Sequence, residues 1–109
     1  MTNTAPTQAL PQRKLSIQMC ALLLIFTADP RLMKSVEPFI DLKNEAYDWE
    51  QIRKIPMGSG HLAAVSLAFG IWTDRVLEDS NPFELALNMD RPLQRACLQA
   101  LSLRWGLKA

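Results

Sequence analysis

The chain has 109 residues, 49% of them hydrophobic and 21% charged, and its 12 basic and 11 acidic residues leave a net charge of +1. This length supports one domain with one core. The apolar fraction and small net charge exclude a disordered charged tail, and a sequence pI of about 7.8 excludes a global positive field that captures nucleic acid.

Residues 1–12 are Thr, Asn, Ala and Gln with Pro6 and Pro11 among them. They carry no apolar period, which predicts a flexible N-terminal arm ahead of a single helical domain over 13–109. Arg13 and Lys14 then precede an apolar run and so imitate a signal peptide. The run is short, Gln18 interrupts it, and Phe26 and Ala28 make a poor cleavage pair. It also falls far below the roughly 20 residues that span a bilayer. It therefore reads as a core helix from Leu15 to Thr27, in a cytoplasmic protein with no membrane partner. Leu15, Met19, Leu22, Leu23 and Phe26 recur at helical spacing, and Ile17, Cys20, Leu24 and Ile25 widen the stripe almost all round. Asp29-Pro30 ends it.

Arg31 to Leu42 is amphipathic through Leu32, Val36, Phe39 and Ile40, and Pro38 predicts a kink or two short turns. Asp48 to Ile55 reads as a short helix. Asp48 is its N-cap, Gln51 the reciprocal partner, and Trp49, Ile52 and Ile55 the buried edge. Ser59 to Trp72 is the most apolar segment, with Ser59 available to cap it. A helix apolar on every face belongs in the middle of a bundle. Asp74 to Ser80 reads as a charged loop. Asn81-Pro82-Phe83-Glu84 then places a cap, a proline and an acid where a helix begins, with the helix running to Leu87. Asp90 caps the last helix, in which Leu93, Ala96, Cys97, Ala100, Leu101 and Arg104 sit at helical spacing and Gln94, Arg95, Gln99 and Ser102 form the wet face. Gly106 reads as its left-handed stop, with Leu107 folding back toward Leu101. The expected fold is all-α: a compact bundle of five or six helices, two of them short, around a central apolar helix near residues 60–73.

Little in this chain spells out chemistry. Gly58, Ser59, Gly60 and His61 open the central helix and would form an anion-binding nest at a helix N-terminus. No strand precedes them and no Lys follows, so the plainer reading is a turn that lets a buried helix start close to its neighbours. His61 is the only histidine. One His and two distant cysteines do not make a metal site, and no motif places His61 beside a nucleophile and an orienting carboxylate. Cys20 and Cys97 read as two buried free thiols in a reducing compartment. No cofactor, metal or catalytic residue is expected.

Two charged blocks remain. Asp74, Glu78, Asp79, Glu84 and Asp90 face only Arg75 in their stretch, and Arg91, Arg95, Arg104 and Lys108 follow with no acid. The leading expectation is a non-enzymatic protein-binding module: an adaptor, a small subunit or an inhibitor of a larger assembly, with a homodimer as the simplest form. Its contact residues would be Asp74, Arg75, Glu78, Asp79, Arg91, Arg95 and Trp105, since Trp and Arg are enriched at binding hot spots. The alternative is a nucleic-acid-binding accessory protein using Arg13, Lys14, Arg91, Arg95, Arg104 and Lys108. Trp72 reads as core, whereas Trp49 and Trp105 fit either core or interface.

Overall fold

A computed structural model describes residues 14–75 and 81–107. The expected arm, Arg13, Glu78, Asp79 and Lys108 lie outside the described residues. The described chain is mostly helical: α1 (Ile17–Thr27), α2 (Pro30–Val36), α3 (Trp49–Ile52), α4 (Ser59–Thr73), α5 (Pro82–Leu87) and α6 (Arg91–Arg104). A 3-10 turn over Glu37–Phe39 leads into strands β1 (Ile40–Asp41) and β2 (Ala46–Tyr47). No helix among the described residues is long and apolar enough to cross a membrane.

The helix starts follow short polar side chains. Ser16 caps α1, accepting from the Met19 amide at 3.1 Å. Asp29 caps α2 through the Arg31 amide at 2.9 Å, with Pro30 in the first turn, where its missing N–H costs nothing. Asp29-Pro30 therefore ends one helix and starts the next. Asp48 caps α3 through the Gln51 amide at 3.2 Å. The reciprocal half of that capping box is not needed, because the Asp48 N–H donates to the Phe39 carbonyl at 3.0 Å. Ser59 proves not to be a cap: Gly58 occupies that position, with no side-chain hydrogen bond.

The small antiparallel sheet departs from the all-α expectation. Ile40 pairs with Tyr47 and Asp41 with Ala46. Pro38 cannot continue α2, and the chain instead turns through the 3-10 segment and doubles back. Glu45 sits at φ 50° in this turn. Its carboxylate accepts from both the backbone amide and the hydroxyl of Ser16, which ties the hairpin to the start of α1.

α1 packs against α2, α4 and α6, and α4 packs against α1, α5 and α6. Met19, Ala21, Leu22, Ile25 and Phe26 of α1 are fully buried, and Ala63, Ala64, Val65, Ala68 and Ile71 come from α4. Leu32 and Val36 of α2 and Leu93, Cys97 and Ala100 of α6 complete the same core, so α1 rather than α4 alone lies at its centre. The small residues of α4 let its neighbours approach closely. α4 is not buried all round, since Leu62 is exposed at 47%. Over the core lies an aromatic cluster centred on Tyr47. Its ring stacks on Trp49 at 5.0 Å, meets Trp72 edge-on at 4.8 Å and tilts against Phe26 at 5.9 Å. Trp49 in turn meets Phe69 edge-on at 5.4 Å. Trp49 and Trp72 are thus part of the packed interior, although the buried Trp49 indole N–H has no hydrogen-bond partner among the described residues.

Candidate functional site

α6 is positioned by both of its ends. Asp90 accepts from the Leu93 amide at 3.0 Å and fixes the first turn. At the far end Gly106 adopts φ 73°, which only glycine takes without strain. The Gly106 amide reaches the Leu103 carbonyl at 3.1 Å and the Leu107 amide reaches the Ser102 carbonyl at 2.8 Å. This is the double hydrogen bond of a Schellman stop. The Leu107 side chain is left exposed at 60%. Leu93, Ala96, Cys97 and Ala100 face inward. The opposite face presents Arg91, Arg95 and Leu98, and Trp105 stands at its end. Leu98 and Trp105 are each exposed at 66%. Neither Arg91 nor Arg95 has an ion-pair partner among the described residues.

A groove of about 210 Å³ runs between the C-terminal halves of α4 and α6. Its apolar lining includes Leu67, Ile71, Leu85, Leu101 and Trp105, and its polar groups include Asp74, Arg75 and Arg104. Asp74 ends α4 at φ 58° in the left-handed region, with its amide on the Gly70 carbonyl at 2.8 Å. Arg104 crosses to the same turn. It donates to the Ile71 carbonyl at 3.5 Å and to Asp74 Oδ2 at 3.4 Å. Of the expected contact residues, Asp74, Arg75 and Trp105 therefore meet at this groove. Arg91 and Arg95 lie at the other end of α6, around a shallow hollow with Gln94 and Leu98. The nucleic-acid set divides in the same way: Arg91, Arg95 and Lys14 are exposed, whereas Arg104 is engaged with Asp74.

Gly58, Ser59, Gly60 and His61 do share one cleft, together with Asp29, Arg31, Asn88, Asp90 and Leu93. His61 Nε2 lies 2.7 Å from Asp29 Oδ2. That hydrogen bond outweighs the opposing effect of burial and holds the Asp29 carboxyl below its ordinary value, helped by the Arg31 amide and nearby positive charge. Gly60 has a packing reason of its own. A side chain there would put its Cβ 2.8 Å from the Asn88 carbonyl oxygen. The cleft mixes the carboxylates of Asp29 and Asp90 with the cations or donors of Arg31 and His61.

Both cysteines are free thiols, but only Cys97 is buried; Cys20 is half-buried, short of the expected core position. Burial pushes the Cys97 thiol up to about 11, away from nucleophilic use near neutral pH. Among the described residues no group of three or more His, Cys, Asp or Glu is placed to hold a metal ion. Leu98 is the exposed residue of this face that sequence reasoning missed. Its signal was available: Leu98 lies seven residues from both Arg91 and Trp105, on one helix face. No protein-family model, no curated protein and no solved structure matches this chain.

Proposed function

We propose that this chain is a non-enzymatic protein-binding module, an adaptor or small subunit whose partner docks on the outer face of α6. The observation that carries this reading is the exposure of Leu98 and Trp105 beside Arg91 and Arg95, two arginines without an ion-pair partner among the described residues. Leu98 and Trp105 are two of several large apolar side chains left exposed, with Ile17, Leu62, Leu87 and Leu107, and what favours this face is that both lie on one helix beside two arginines. Arg and Trp are also the residue types that most often carry binding energy. The groove beside Trp105, with Asp74, Arg75 and Arg104, extends that surface across to α4. A reducing, cytoplasmic setting suits the two free thiols.

The test compares recovery of host proteins on the wild-type chain and on Leu98→Glu. Loss of one defined protein with the variant supports the reading; identical recoveries with both overturn it. Nucleic-acid binding is the second reading, favoured by the exposure of Arg91 and Arg95 on one face. It predicts a mobility shift that weakens steeply with salt, and no shift at low salt removes it.

A further inference from the structure

We draw no further inference here: the strongest candidate, the cleft where the starts of α2, α4 and α6 meet around His61 and Asp29, carries nothing because it rests on helix N-termini and no second observation among the described residues points to a ligand there.

Discussion

Gly60 and the carbonyl of Asn88 approach so closely that a methyl group on Gly60 would lie 2.8 Å from that oxygen. The contact joins the start of α4 to the turn before α6. Alanine is intrinsically better than glycine in a helix by about 1 kcal/mol. Overpacking against a backbone atom, which cannot rotate away, costs about 1–3 kcal/mol. The clash therefore wins, and Gly60→Ala is expected to lower the denaturant midpoint by a net loss of up to about 2 kcal/mol. Two positions back, Gly58 has open space and an ordinary φ of −69°. Gly58→Ser should gain a few tenths of a kcal/mol (about the difference between those two caps), because it supplies the missing side-chain acceptor.

Asp29 links two helix starts, capping α2 and receiving His61 from α4. Its carboxyl is held below the ordinary value of 3.8 in the folded state, first by the His61 hydrogen bond. A lowered folded-state value means stability that is present above the unfolded value and lost as pH falls through the folded one. Asp29→Asn keeps the cap but loses the charge. Thermal melts at neutral pH should show the variant less stable by about 1 kcal/mol, the size of one net hydrogen bond. The gap should close as pH drops below 3.8. A gap that stays constant into acid would show that the charge contributes nothing.

The three tryptophans occupy two environments. Trp49 and Trp72 belong to the Tyr47 cluster, whereas Trp105 is exposed at 66%. Acrylamide should quench one fraction of the emission readily, and Trp105→Phe should remove that fraction while leaving the melting temperature within about 2 °C (a surface change of under about 0.5 kcal/mol). Equal quenching in the two proteins would place Trp105 elsewhere.

Cys97 lies 3.6 Å from Met89 Sδ in the interior, and burial lifts its thiol to about 11. Since the thiolate is the reactive form, a thiol reagent at mildly alkaline pH should leave Cys97 unmodified in the native protein. Its modification should follow the rate of opening, and denaturant should make both thiols titrate at once. Rapid native reaction, mapped to Cys97 by mass spectrometry, would contradict the buried position.

Helix starts were legible wherever a short polar side chain preceded an apolar period, as at Asp48 and Asp90. Gly106 was legible for the same local reason. At Ser59 local reasoning failed: the helix starts one residue earlier than the serine's capping preference implies, with Gly58 as cap and Ser59 inside the first turn. The hairpin was invisible, since strands of two residues leave no alternation to read. The site was half legible. Arg91, Arg95 and Trp105 could be named from residue type, whereas sequence reasoning assigns Leu98 to neither face of the last helix, and its exposure separates it from buried Leu93.

The hairpin over Ile40–Tyr47 is held less by its own ladder than by what it touches. Two paired residues per strand cannot sustain a sheet in water. Its anchors are Ser16 and Met19 of the α1 region and the rings of Phe26 and Trp72, all distant along the chain. Closing those loops is favourable only after α1 and α4 have met. This segment should therefore be the last to acquire its native order during refolding. In hydrogen exchange its amides should open long before those of α1, making the aromatic lid the first part of the molecule to lift.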